Sequence, residues 1–330
     1  MKKKIAIFCG GPSSEYEISL SSAKAIYKHL DKNAYNIAIC FITKDLHAKL
    51  IKNGNLDFEN DKTNTPLLTI LKQIKKEGYL AFLAGMHGEF GEDGKLQALL
   101  EFEGIPYSGS NEEASALCTD KMRSMILANS INIKIPNSVF LNIPSELDSE
   151  FDITFPAILK PNNLGSSVGL SIINSREELK KEALNLIKKF HTTQILVQEY
   201  IYGLEVSCGA LQNKQGKFTL LPPIEIHPNK SVLFDYSSKY SRGGSLEITP
   251  PKNIDTKTAN IISEIATKLH IILGCKTYSR SDFIVKGKMV YYLETNTLPG
   301  MTDTSLIPQE AEAAGIPFSS LLDFLIQNSL

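Results

Sequence analysis

The segment Arg280-Ser-Asp282-Phe-Ile-Val-Lys-Gly287-Lys-Met-Val-Tyr-Tyr-Leu-Glu294-Thr-Asn296 carries a guanidinium, two carboxylates and an amide on what reads as a hairpin turning near Gly287. Pairing about that turn sets Asp282 roughly opposite Tyr292. The two-residue period of a strand then puts Asp282, Tyr292, Glu294 and Asn296 on one face. Carboxylates gathered at one sheet end, with only Arg280 to balance them, repel each other. A bound Mg²⁺ relieves that repulsion, because it takes hard oxygen ligands and shares them with substrate phosphates. A solvated hairpin end with two exposed acids is the plainer alternative. The apolar flanks, residues 283–285 and 289–293, favour the metal.

A second segment, Lys160-Pro-Asn-Asn-Leu-Gly165-Ser166-Ser167-Val-Gly169, follows an apolar run. Glycines allow backbone N–H groups to turn toward phosphate oxygens, and Ser166 and Ser167 add hydroxyl donors. Lys160 ends a buried-looking strand, where phosphate is a natural partner for its charge. A glycine-rich hairpin loop with a snorkelling lysine fits equally well. The G-x-x-x-x-G-K-[ST] pattern is absent, so a nucleotide would be gripped in another way. Third, the loop at Gly300 just past the acids offers a backbone N–H to a developing oxyanion. Ser305 in the same loop reads either as a ligand or as a helix N-cap. Fourth, Glu15 and His87 lie in loops after strands, at residues 10–19 and 87–94. Glu15 suits a substrate ammonium or simply a helix dipole, and His87 a structural hydrogen bond.

Positioning these groups requires an α/β frame. Residues 5–9, 35–43 and 78–84 read as strands, with helices at 18–30, 66–77 and 94–103 between and after them; residues 49–56 are ambiguous. Such alternation implies a parallel sheet covered on both faces, with ligands at the carboxyl ends of its strands. From residue 119 the order is helix 120–129, strands at 138–141 and 155–160, the loop 162–170, a strand at 171–174, a helix at 176–190 and a strand at 195–200. From residue 205 antiparallel strands, one long helix (256–273) and a helical tail follow. The reading is three units: 1–118, Rossmann-like; 119–204, a central lobe; and 205–330, a C-terminal lobe with the metal and substrate site.

The chain has 330 residues, enough for two or three domains. Its net charge of −1 argues against a nucleic-acid partner. Five scattered cysteines without a C-x-x-C pair suit reduced thiols in the cytoplasm. The apolar run after Met1 is too short for a signal peptide, and no stretch reaches membrane-spanning length.

Taken in order, these segments resemble those of the ATP-grasp enzymes and, among them, the D-alanine–D-alanine ligase family. The resemblance runs over nearly the whole chain. It includes Gly10-Gly-Pro-Ser-Ser-Glu-Tyr-Glu-Ile-Ser-Leu20, His87-Gly-Glu-Phe-Gly-Glu-Asp-Gly94, Ile105-Pro-Tyr-Ser-Gly109, Asp120-Lys121 and Lys160 through Gly169. It continues through Lys239-Tyr240, Arg280-Ser-Asp282, Glu294-Thr-Asn296 and Pro299-Gly-Met-Thr302. It implies an ATP-grasp fold, α/β at first and α+β in the C-terminal half.

The same resemblance implies roles. Lys121 and Lys160 would hold ATP phosphates, beside Gly165, Ser166 and Ser167. Gln198, Glu199, Tyr200, Ile201 and Tyr202 would contact adenine, and Glu205 the ribose. Asp282, Glu294 and Asn296 would bind two Mg²⁺ ions, with Mn²⁺ as a substitute. Lys239 and Tyr240 would sit on a mobile loop over the phosphates. Glu15, His87, Ser166, Tyr240, Arg280, Gly300, Ser305 and Leu306 would line the sites of two D-alanine molecules, and a homodimer is the family expectation. Gln198 stands where many relatives carry Glu, and Ala98 where Gly is common. Tyr240 favours a dipeptide product, since relatives that accept D-lactate generally lack it. A ligase for D-lactate or D-serine and a regulatory protein with a silent grasp fold are the rivals. A Rossmann oxidoreductase is not, because G-x-G-x-x-G spacing is missing.

Overall fold

The computed structural model describes all residues except 1, 53, 58–62, 229–244 and 330. Lys239, Tyr240 and the glycine-bearing segment 240–244 therefore lie outside the described residues.

The first sheet has the order β3-β2-β1-β4, from β1 (Lys3–Gly10), β2 (Tyr35–Ile42), β3 (Ala48–Ile51) and β4 (Leu80–Phe82). β1 pairs in parallel with β2 and β4, as the alternation predicts. The ambiguous stretch resolves into β3, an antiparallel edge strand, so the sheet is mixed. The strand expected to reach residue 84 stops at Phe82 and tightens into a 3₁₀ turn, Leu83–Gly85, that leads into the His87 loop. Helices α1 (Tyr16–His29), α2 (Leu67–Glu77) and α3 (Lys95–Glu103) follow the expected order. A further helix, α4 (Glu112–Thr119), is absent from the sequence reading. Its N-cap Asn111 accepts the Ala114 N–H at 3.1 Å.

The second sheet, β5-β8-β6-β7, is antiparallel and is built from β5 (Ser138–Asn142), β6 (Ala157–Pro161), β7 (Ser171–Ile173) and β8 (Gln194–Glu199). Helix α6 (Arg176–Phe190) covers it, started by Ser175, whose hydroxyl takes the Glu178 N–H at 3.2 Å. The third sheet runs β12-β11-β9-β13-β14, with β10 (Phe218–Leu220) also on β9 (Leu204–Gln212). The other members are β11 (Ile224–Pro228), β12 (Ser245–Ile248), β13 (Tyr278–Lys286) and β14 (Met289–Asn296), and α7 (Thr256–Ile272) packs beneath.

Two packings cross the divisions drawn at 119 and 205. Helix α5 (Lys121–Ser130) buries Met125 and Ala128 in the core of the third sheet with Val206, Phe283 and Tyr292. The tail helices α8 (Leu306–Ala313) and α9 (Phe318–Gln327) bury Ile307, Ala311, Leu321, Leu322, Leu325 and Ile326 in the core of the first sheet. In α9 those residues fall at i, i+1, i+4 and i+5, which is one apolar stripe.

The hairpin register corrects one expectation. Lys286 pairs with Met289 around Gly287 and Phe283 pairs with Tyr292, but Asp282 pairs with Glu294. A bulge at this step inserts one residue into β14, so the two-residue period breaks there. Tyr292 therefore lies opposite the buried Phe283 (ring centroids 6.2 Å apart), in the core and not beside the acids. Its hydroxyl donates to Thr295 Oγ1 at 3.0 Å. Asp282, Glu294 and Asn296 remain together on the other face.

Candidate functional site

The three sheets enclose two neighbouring cavities. One, of about 1930 Å³, is lined among the described residues by Glu15, His87, Ser166, Arg280, Gly300 and Ser305, with Leu306 and Asn296 further along its wall. The other, of about 110 Å³, is lined by Lys160, Ser167, Gln198, Glu205 and Asp282, with Glu199, Tyr200 and Ile201 at its side. Lys121, Leu164, Val168 and Glu294 line both, so the two spaces meet at that lysine and that carboxylate.

The meeting point is built by local capping. Asp120 caps α5 by accepting the Arg123 N–H at 3.0 Å, which sets Lys121 in the first turn. The Lys121 backbone N–H donates to Asn162 O at 3.2 Å, and the Met122 N–H to Asn162 Oδ1 at 3.0 Å. The start of α5 is thereby fixed to the loop after Lys160. Lys121 Nζ donates to Leu164 O at 2.7 Å and lies 3.3 Å from Glu294 Oε2. Beyond Leu164 the loop turns through Ser166 and Ser167, both in the left-handed region (φ 51° and 56°). Such backbone costs about 1 kcal/mol or more per non-glycine residue and is held only by its surroundings. Gly165 is needed for a different reason: a Cβ there would lie 2.8 Å from Glu15 Oε1. Glu15, from the far side of the cleft, thus packs on the backbone beside Ser166, and the two predicted substrate residues are brought together.

Opposite stand the acids. Asp282 accepts from Arg280 Nε at 2.9 Å and from Arg280 Nη2 at 2.8 Å, and takes the Ser207 hydroxyl at 2.6 Å. Glu294 faces it directly across the strand pair. Each acid thus has a cation against it, Arg280 on one side and Lys121 on the other. Among the described residues no group of three His, Cys, Asp or Glu side chains could hold a metal ion. The set in question has two carboxylates and an amide, and its chemistry fits Mg²⁺, which completes its shell with phosphate oxygens and water.

His87 is buried and tied at both ring nitrogens. Nδ1 lies 3.0 Å from Leu298 O and Nε2 2.8 Å from Ser22 Oγ. A carbonyl only accepts, so Nδ1 donates to Leu298 O. This pins the strand-to-helix loop against the loop leading to Gly300. Ser305 precedes α8 but does not cap it; its hydroxyl takes the Thr302 N–H at 3.0 Å and so closes the Gly300 loop. Gln198 is buried and donates to Ser138 Oγ at 3.1 Å. Tyr202 is 65% exposed and stacks edge-on with Tyr200, so its ring stays outside the small cavity.

One buried acid escapes the sequence reading. Glu310 on α8 is fully buried, and Oε2 accepts the Gly209 N–H at 2.6 Å. Burial pushes its carboxyl up to about 8, with the charge of Asp282 adding to the rise and that of Arg280 opposing it. Four residues after Leu306, it falls on the same helix face as that buried residue, a signal legible in the sequence. Because this group holds its proton more tightly folded than unfolded, its stabilising effect is complete below the ordinary carboxylate range and fades as pH rises toward 8. The slope is at most about 1.4 kcal/mol per pH unit. Wild-type protein should therefore lose more urea stability between pH 5 and pH 8 than Glu310→Gln; parallel losses would show that Glu310 ionises normally.

Comparison with known proteins adds the following. The family model described as D-ala D-ala ligase N-terminus matches residues 4–110, and that of the D-ala D-ala ligase C-terminus matches residues 140–327. A D-alanine–D-alanine ligase of Leptospira biflexa is 36% identical over 355 residues, covering 100% of this chain and 99% of the relative. One of Syntrophobacter fumaroxidans is 38% identical over 335 residues, covering 100% and 98%. Among solved structures, the VanG D-Ala:D-Ser ligase of Enterococcus faecalis superposes with a TM-score of 0.82 at 31% identity, covering 99% of both chains. The D-alanine–D-alanine ligase of Bacillus anthracis complexed with ATP gives 0.74 at 28% identity, covering 99% and 97%.

Proposed function

The chain belongs to the D-alanine–D-alanine ligase family, and on that premise we propose that it joins two molecules of D-alanine into D-alanyl-D-alanine. ATP becomes ADP and phosphate, and the dipeptide serves peptidoglycan precursor synthesis in the cytoplasm. The observation that supports this most is the sharing of Lys121 and Glu294 by the two cavities. A nucleotide in the smaller one would end, at its phosphates, where amino acids in the larger one begin.

The carboxylate oxygen of the first D-alanine attacks the γ-phosphorus, the bond to the β-phosphate oxygen breaks, and ADP leaves. Lys160 and Lys121 offset charge on the phosphates, while Ser166, Ser167 and the backbone after Gly165 donate to their oxygens. Glu15 holds the ammonium of the first D-alanine. The amine of the second then attacks the acyl carbon, loses a proton and expels phosphate. Arg280 and the Gly300 N–H stabilise the intervening oxyanion, and Ser305 and Leu306 place the second molecule. Tyr240, by resemblance, joins Glu15 and Ser166 in orienting the first substrate and taking the proton, and Lys239 closes over the phosphates. Asp282, Glu294 and Asn296 would hold Mg²⁺, with Mn²⁺ as substitute; bound there, it supplies further charge compensation to phosphate oxygens. The smaller cavity gives Gln198, Glu199, Tyr200 and Ile201 to adenine and Glu205 to the ribose. The protein acts as a homodimer. In the reading as three units, 1–118, 119–204 and 205–330, the nucleotide would lie between the second and the third.

The test is phosphate release with ATP and Mg²⁺, offering D-alanine alone, L-alanine, and D-alanine with D-serine or D-lactate. D-alanine alone should give phosphate and dipeptide in equal amounts. Turnover only with a mixed pair would reassign the second substrate, and ATP binding without turnover on any pair would overturn the ligase reading.

A further inference from the structure

Strand β9 has an interval in its pairing. β11 accompanies it only as far as Ser207, and β10 only from Ala210. On its other edge β9 pairs continuously with β13, and Gly209 stands opposite Arg280. In the interval the Gly209 N–H has no strand to bond to and is taken by Glu310 Oε2 at 2.6 Å. The fit is tight, because a Cβ at Gly209 would lie 2.7 Å from that same oxygen. Glu310 Oε1, also buried, has no hydrogen-bond partner among the described residues.

A side chain that only filled this space would be apolar, since burying an acid here costs stability. What the carboxyl adds is a fixed link. Glu310 lies one turn along α8 from Ser305 and Leu306, which line the larger cavity. Its partner Gly209 lies one strand from Arg280, which lines the same cavity.

We propose that Glu310 is a positioning residue for the acceptor substrate, its carboxyl fixing α8, one turn beyond Ser305 and Leu306, to the strand that carries Arg280's pairing partner. Ser305 and Leu306 are thereby held at a set height above Arg280. The proposal rests on the ligase reading and deepens it, assigning the link that sets acceptor geometry. Burial favours the neutral acid, so an amide of equal size should be able to replace it.

The experiment is steady-state kinetics of the full-length protein with ATP, Mg²⁺ and D-alanine, fitted for both D-alanine sites, on wild type, Glu310→Gln, Glu310→Leu and Glu310→Ala. Glu310→Gln keeps volume and an acceptor oxygen, and should stay within about twofold of wild type in every constant. Glu310→Leu and Glu310→Ala leave the Gly209 N–H without its acceptor. They should raise KM for the second D-alanine by about tenfold or more while KM for ATP holds within about twofold. Should Glu310→Leu fail to fold, the smaller Glu310→Ala, which admits water to Gly209, still decides. Unchanged KM for the second D-alanine in a folded, apolar variant overturns the inference, as does a Glu310→Gln variant as impaired as Glu310→Ala. A wild type that makes no dipeptide overturns the ligase reading and the inference with it, whereas an active wild type isolates the inference.

Discussion

Glu294→Gln is expected to lower kcat for dipeptide synthesis by about 10³-fold or more, with a thermal midpoint close to that of wild type. Glu294 is only half-buried and lies 3.3 Å from Lys121 Nζ, so the neutral amide weakens that ion pair and disturbs little packing. Its charge faces the place where phosphates gather, and an amide there keeps an oxygen but not the negative charge that offsets a divalent cation. Asp282→Asn should lose as much rate but also fold less stably. It breaks a two-bond contact with Arg280 in the interior, where removing one charge strands the other at a cost of about 3 kcal/mol. Phosphate-release kinetics beside thermal melts of both variants separate the two effects. A Glu294→Gln enzyme within tenfold of wild-type kcat would remove the metal assignment from this pair of acids.

Glu15→Gln should weaken use of the first D-alanine by about 100-fold in kcat/KM and leave the dissociation constant for ATP unchanged. The carboxylate is buried at the start of α1 and makes no capping bond to it. It lies instead on the backbone of Gly165, beside Ser166, in the wall of the large cavity. A charge-assisted hydrogen bond to a substrate ammonium contributes about 3 kcal/mol at such a site, and the amide forfeits most of it. Nucleotide binding by equilibrium titration, together with D-alanine kinetics, reads both halves. An unaltered KM for the first D-alanine would show that Glu15 serves the fold and not the substrate.

Most of what positions these groups was legible. Strand–helix alternation in the first hundred residues, the helical spacing at 176–190 and 256–273, and the turn at Gly287 are all local signals, and each element stands within a few residues of where those signals put it. What was not legible is long-range or hidden from a fixed period. The bulge between Asp282 and Phe283 adds one residue to β14, and no two-residue count can detect an insertion. Tyr292 was consequently placed with the acids when it belongs to the core. Helix α4 was missed although Asn111-Glu-Glu is an ordinary N-terminal signature, because eight residues give too few turns to show a period. The helix face of Glu310 is legible but its role is not, because what an acid in a helical tail does depends on which distant strand it meets.

The return of α8 and α9 to the first sheet has a consequence for how the protein is made. Residues of β1, β2 and β4 share a core with Leu321, Leu325 and Ile326, and Gln327 donates to the Tyr35 hydroxyl at 3.0 Å. These partners leave the ribosome more than two hundred residues after Tyr107, the last residue of the N-terminal stretch in that core. At ordinary elongation rates the nascent sheet waits roughly 10–40 s with an apolar side uncovered. During that interval, until α9 arrives, the uncovered apolar side is the part of the growing chain most open to aggregation.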